Sequence, residues 1–167
     1  RPDPEKWNYD IWAPRKVNDE DQAYTDRDRN VRVENGFLTI EAHREDYEGA
    51  KYTSARIHSA GKGDMLYGRA EIRARLPRGQ GTWAAIWMLP TDPFRYATIC
   101  GPGHDWQGAG DCDAWPNSGE IDILEYRGQE PTILHGSLHG PGYSGGNSIG
   151  GYHVLEGAAF NDAFHVF

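Results

Sequence analysis

Polar and apolar side chains alternate with a period of two through much of this chain, and no helical period persists over a useful window. Successive side chains of a strand point to opposite faces, so this alternation predicts ribbons with one wet and one dry side. Within 67–76, Arg69, Glu71, Arg73 and Arg75 alternate with Ala70, Ile72, Ala74 and Leu76, which predicts a half-buried strand. Residues 37–43 alternate likewise and put Leu38, Ile40 and Ala42 on the inner face. Ahead of them Val31-Arg32-Val33 runs into Glu34-Asn35-Gly36, an Asn-Gly hairpin turn. Segments 52–58, 82–89, 119–126 and 132–139 are further strands, and 61–64, 77–81 and 140–142 carry turn residues between them. Many short strands, Gly/Pro turns and no helix predict a β-sandwich.

A length of 167 residues suggests one domain. With 17 Lys and Arg against 25 Asp and Glu, the net charge is −8, and no basic cluster offers a phosphate-backbone site, which excludes nucleic acid. The longest apolar stretch, 84–89, is far below the ~18–20 residues of a membrane helix. The chain opens at Arg1 with no charged-then-apolar leader, which reads as a processed or trimmed start. Six Trp, nine Tyr and five Phe supply flat apolar faces that suit sugar rings as well as a core. Residues 91–115 form a long aperiodic loop of the kind that is usually functional. It holds Cys100 and Cys112, either as a disulfide, worth about 3 kcal/mol for a loop of ~15 residues, or as two free thiols. No ligand spacing around them supports zinc, and the disulfide is the reading expected if the chain is exported.

Three acids interleave with apolar residues in Gly119-Glu120-Ile121-Asp122-Ile123-Leu124-Glu125-Tyr126. Glu120 and Asp122 share a face by parity, whereas Glu125 has the wrong parity for a regular strand. One β-bulge at Ile123-Leu124 absorbs the extra residue and returns Glu125 to the face of the other two. Glu120 and Glu125 then stand about 13 Å apart at Cα, and side chains leaning together shorten that toward the ~5–5.5 Å of a retaining glycosidase pair. Carboxylates this close cannot all ionise freely, so at least one pKa rises.

This run resembles the bulged catalytic signature, Glu-x-Asp-x-x-Glu, of glycoside hydrolase family 16. The likeness to the family's bacterial laminarinases extends to Tyr52-Thr53-Ser54-Ala55-Arg56-Ile57, to Tyr67-Gly68-Arg69-Ala70-Glu71, to 76–89 and to 135–146. The resemblance implies a β-jelly-roll sandwich with a concave substrate cleft, formed by a single catalytic domain over 1–167. It matches Glu120 to the nucleophile, Glu125 to the general acid/base, and Asp122 to the residue that holds the nucleophile's charge state and orientation. Trp83, Trp87 and Trp115 match cleft aromatics, His139 the histidine near the acid/base, and Arg56 and Asn30 polar contacts to sugar hydroxyls.

The bulged signature is shared by laminarinases, agarases and carrageenases. The wording of 83–88 and 139–146, with the acidic net charge, favours a neutral β-1,3-glucan and an endo-β-1,3-glucanase. Mixed-linkage glucan or agar is the alternative substrate, and a non-catalytic β-glucan-recognition protein the alternative class. A polymeric substrate implies secretion. The resemblance implies no cofactor for catalysis and leaves open a structural Ca²⁺, as some bacterial relatives hold one partly through a residue near the domain's end. The family runs on past Phe164-His165-Val166-Phe167, so the chain is expected to cover the N-terminal two-thirds or so of the sandwich. A second chain carrying the remaining strands, or a truncated sequence, accounts for that end.

Overall fold

The computed structural model describes residues 1–107 and 110–167. The chain divides into two compact units, Arg1–Leu66 and Tyr67–Phe167, and the regular structure of each is almost wholly strand.

The first unit holds β1 (Asn8–Asp10), β2 (Gln22–Tyr24), β3 (Val31–Glu34), β4 (Phe37–Ile40), β5 (His43–Tyr47), β6 (Ala50–Ser54) and β7 (Arg56–His58). β1 pairs with β7, β6 lies between β2 and β5, and β3 and β4 form a hairpin. Asn35 and Gly36 close that hairpin at φ 51° and 78°, the paired positive values a tight two-residue turn requires. The expected inner face does not form as read. Leu38 and Ile40 are 46% and 48% exposed, because no layer of described residues within this unit covers that side of the two-stranded hairpin. Ala42, also exposed, lies beyond the end of β4.

Ala23, Val31, Ala50 and Ala55 are buried in this unit around a polar centre of Thr25, Asn30 and Thr53. Asn30 is fully buried and both ends of its amide are taken. Its oxygen accepts from the Thr25 hydroxyl (2.6 Å) and Arg27 (2.9 Å), and its nitrogen donates to the Glu41 carbonyl (3.1 Å) and Thr53 (3.0 Å). Buried polar groups need such partners, and here they make Asn30 an internal strut.

The second unit holds β8 (Arg73–Ala74), β9 (Trp83–Met88), the single turn α1 (Ala114–Asn117), β10 (Glu120–Arg127), β11 (Ile133–His139), a 3₁₀ turn at Gly145–Asn147, β12 (Ile149–Val154) and β13 (His165–Val166). Single turns carry no period, so both escape a periodicity reading. Four antiparallel strands form a sheet in the order β12-β11-β10-β9, and β13 pairs with β8. The strand expected over 67–76 is reduced to β8. Pairing runs only where 165–167 lie alongside, with Ile72 and Phe167 exchanging both backbone bonds, while Tyr67 is 90% exposed. Inward parity nevertheless holds at Ala74 and Leu76.

Leu76, Leu124, Tyr126 and Phe160 form the core of this unit, with Ile86, Leu134, Leu155 and Phe167 packed around them. The buried Tyr126 hydroxyl accepts from Asn161 Nδ2 at 2.7 Å, so its polar tip is satisfied. Among the described residues, 91–113 carry no helix or strand, as expected. Cys100 and Cys112 are joined in a disulfide.

Candidate active site

The site is built on β10. Against β9, Asp122 pairs with Trp87 and Leu124 with Ile86, two steps on one strand for one on the other; against β11, Asp122 pairs with Ser137 and Glu125 with His135. That is the bulge the parity of Glu125 required. Before it Glu120 and Asp122 face one side; after it Glu125 faces that same side while Leu124 and Tyr126 turn into the core, both fully buried.

Residues directly opposite in a ladder share a face. His139, Ser137 and His135 of β11 therefore stand beside Glu120, Asp122 and Glu125 in turn, and Trp87 and Ala85 of β9 stand opposite Asp122 and Glu125. Trp83 lies on this face of β9 as well. On β12, Gly150 pairs with Ser137, and a Cβ there would meet the Gly136 carbonyl oxygen at 2.6 Å, so only glycine fits.

Each carboxyl has its own donor. Trp115 Nε1–H donates to Glu120 Oε2 at 2.6 Å, and Trp83 Nε1–H to Glu125 Oε1 at 3.1 Å. The Ser137 hydroxyl lies 2.6 Å from Asp122 Oδ2 and 3.3 Å from Glu125 Oε2. His139 Nε2 lies 2.9 Å from the same Asp122 oxygen, and the Gly145 backbone N–H donates to His139 Nδ1 at 3.1 Å. An imidazole nitrogen that accepts carries no hydrogen, so neutral His139 is protonated at Nε2 and donates to Asp122. Burial, followed by the hydrogen bond and charge of Asp122, pushes Glu120 up to about 8, against the opposing pull of the Trp115 N–H. The rise expected for one carboxyl thus falls on Glu120, and the Glu120–Asp122 pair retains a proton at neutral pH.

Glu120, Asp122 and His139 also bring one ligand atom each within 4.8 Å of one another. A nitrogen and two carboxylates do not match the six to eight oxygens Ca²⁺ takes, so this cluster does not fit the structural Ca²⁺ left open above.

Of the residues singled out in the sequence, Trp83, Trp87, Trp115, Glu120, Asp122, Glu125 and His139 gather in the second unit. Asn30 and Arg56 belong to the first. Asn30, expected to touch sugar, has no free polar atom to offer. Arg56 is ion-paired to Asp10 at 2.8 Å and stacked 4.3 Å from the Trp12 ring. The sequence places Ser137 on the face of His135 and His139 by parity but assigns it no role, and the structure sets its hydroxyl between Asp122 and Glu125. The reading from sequence passes over Asp113, which accepts bonds from Thr98, Ile99 and Asn117 just before Trp115; nothing in its local pattern marks it.

Comparison with known proteins gives a consistent result. The family profile described as Glycosyl hydrolases family 16 matches residues 18–167. A β-glucanase of Rhodothermus marinus is 49% identical over 144 residues, 86% of this chain and 45% of that protein. Among solved structures, the R. marinus laminarinase is 44% identical with a TM-score of 0.81, covering 99% of this chain and 60% of that one. The laminarinase catalytic domain of Thermotoga maritima is 38% identical with a TM-score of 0.81, covering 100% and 64%. The chain thus spans less than half of the R. marinus β-glucanase and under two-thirds of the two laminarinases. The all-β jelly-roll class expected from the sequence is that of these neighbours.

Proposed function

The chain belongs to glycosyl hydrolases family 16, and on that premise we propose that it hydrolyses internal β-1,3-glucosidic bonds of laminarin-type β-glucan with retention at the anomeric carbon. The observation that carries this reading is the bulged β10, which sets Glu120, Asp122 and Glu125 on one face with an indole donor on each glutamate. Glu120 attacks the anomeric carbon while Glu125 gives its proton to the departing glycosidic oxygen. Ionised Glu125 then takes a proton from water, which displaces Glu120 from the glycosyl ester.

The surrounding contacts suit these roles. Attack needs Glu120 ionised, so the proton shared with Asp122 must sit on Asp122. Ser137 and His139 both engage Oδ2 of Asp122, which leaves its other oxygen to carry that proton toward Glu120. Trp83 occupies Oε1 of Glu125, so the transferable proton belongs on Oε2. Double displacement between two carboxylates draws on no cofactor. Polymeric glucan is met outside the cell, where a disulfide is also at home, which supports secretion.

The test is reducing-sugar release by the full-length protein from laminarin, lichenan and agarose in parallel, with E120Q and E125Q beside it. Laminarin should be cleaved, and each variant should lose most turnover while keeping its fold and its binding. A folded protein that binds laminarin without cutting it is a recognition protein, and cleavage of agarose alone moves the substrate class. Parental turnover in either variant removes that residue from its role.

A further inference from the structure

We propose that the disulfide-closed loop ahead of β10 is an arm that positions Trp115 on Glu120, and that Asp113 is the positioning residue through which it acts. The proposal rests on the hydrolase reading above for its kinetic readout alone.

Trp115 donates to Glu120 Oε2 over only 2.6 Å, yet its side chain is not fixed by burial, being 37% exposed. Its ring meets that of His139 at a centroid distance of 5.8 Å, tilted by 44°. Its aim must therefore come largely from the backbone that carries it, and that backbone is pinned on both sides.

On the leading side, Asp113 Oδ1 accepts the N–H groups of Thr98 (2.9 Å) and Ile99 (3.1 Å), and Oδ2 accepts the Thr98 hydroxyl (2.6 Å) and Asn117 Nδ2 (2.9 Å). These bonds hold the Asp113 carboxyl below its usual range, the Thr98 hydroxyl being the largest cause. The adjacent Cys112 is tied to Cys100, so the same two stretches of loop are joined twice. On the trailing side, the Ser118 hydroxyl donates to the Pro93 carbonyl at 2.6 Å. Between the pins Ala114 is 1% exposed, and its carbonyl takes the Ser118 N–H at 2.8 Å. A carboxylate with four donors, a disulfide and a buried alanine make one rigid frame, and the group it presents toward the carboxyls is the Trp115 indole.

Groups that act through one another are non-additive when both are removed. The experiment is a double-mutant cycle in the full-length protein with D113A, D113N and W115F, measuring kcat and KM on a laminarin oligosaccharide. D113A should lower kcat about 5- to 20-fold with little change in KM, and D113N, which keeps one acceptor for the Thr98 and Ile99 N–H groups, should recover part of that loss. In the W115F background D113A should cost less than a further twofold. Beside the kinetics, the Trp115 indole N–H resonance, assigned by its loss in W115F, should exchange faster with solvent and move upfield in D113A. Equal kcat loss from D113A in both backgrounds, or an unchanged indole resonance in folded D113A, overturns the proposal. An inactive parent whose indole resonance still responds overturns the hydrolase reading and leaves the arm intact.

Discussion

Replacing Glu120 with glutamine should abolish turnover and at the same time make the protein more stable at alkaline pH. Glu120 stands at about 8 because burial and the Asp122 carboxyl oppose its ionisation. In an unfolded chain a glutamate titrates near 4.3. Between these values the folded state binds the extra proton, so stability falls as pH rises through the window and levels off above about 8. Each pK unit is worth about 1.4 kcal/mol. The carboxyl is partly open to water, which screens the penalty and brings the full shift down to about 1–2 kcal/mol. The glutamine amide in E120Q keeps an oxygen for the Trp115 N–H, offers a hydrogen to Asp122 and carries no charge. Relative to the parent, E120Q should be nearly isostable at pH 4 and melt about 2–8 °C higher at pH 9. Scanning calorimetry of parent and variant at both pH values in the full-length protein reads this directly. A Tm difference of the same size at pH 4 and pH 9, or a lower Tm for E120Q at pH 9, would refute the raised pKa and the electrostatic argument behind it.

Three further outcomes follow from single contacts. W83F removes the N–H that holds Glu125 Oε1 at 3.1 Å; a hydrogen bond to a charged group is worth about 1.5–3 kcal/mol, so kcat should fall roughly 10- to 100-fold with the melting temperature little changed. C100S/C112S opens the loop closed at a sequence separation of 12 and should lower unfolding stability by about 3 kcal/mol in denaturant titration, an effect that reduction of the parent should reproduce. L124A empties a fully buried position in the core of the second unit and should cost about 2–5 kcal/mol by the same titration, far more than I121A, which faces the same way before the bulge but is 48% exposed.

What the sequence discloses here depends on whether the cause of a feature is local. The Asn35-Gly36 hairpin turn is legible because two adjacent residues meet its conformational demand. The bulge in β10 is legible because Glu120, Asp122 and Glu125 share a face only if one residue is set aside. Strand length is another matter. The alternation over 67–76 states which side is dry, but a strand exists only where a partner offers backbone bonds, and here that partner runs beside Ile72–Ala74 alone. The same gap explains Leu38 and Ile40: period two names a face and is silent on what covers it. Asn30 reads as a sugar contact by resemblance, and only the three-dimensional meeting of Thr25, Glu41 and Thr53 makes it a strut. Asp113 is invisible for the converse reason, since its partners Thr98 and Ile99 lie some 15 residues upstream in a loop without periodicity.

The bulge also explains how one strand serves two demands that a regular strand could not meet together. Glu120, Asp122 and Glu125 need a face open to substrate, whereas Leu124 and Tyr126 need a dry one. In an unbroken alternation Leu124 would share the face of Glu120 and Asp122, and Glu125 would enter the core in its place. Burying that carboxyl unpaired would cost several kcal/mol, and Leu124 would lose its contacts with Leu76 and Phe160. Setting Ile123 aside flips the parity of everything beyond it, so the core pair and the second glutamate reach their proper sides in a single step. The extra residue is therefore a condition of the site and of the core at once. A shift of register at that point would damage both, and it would be felt first as lost stability, because Leu124 and Tyr126, now fully buried, would turn out to water while Glu125 was driven into the core.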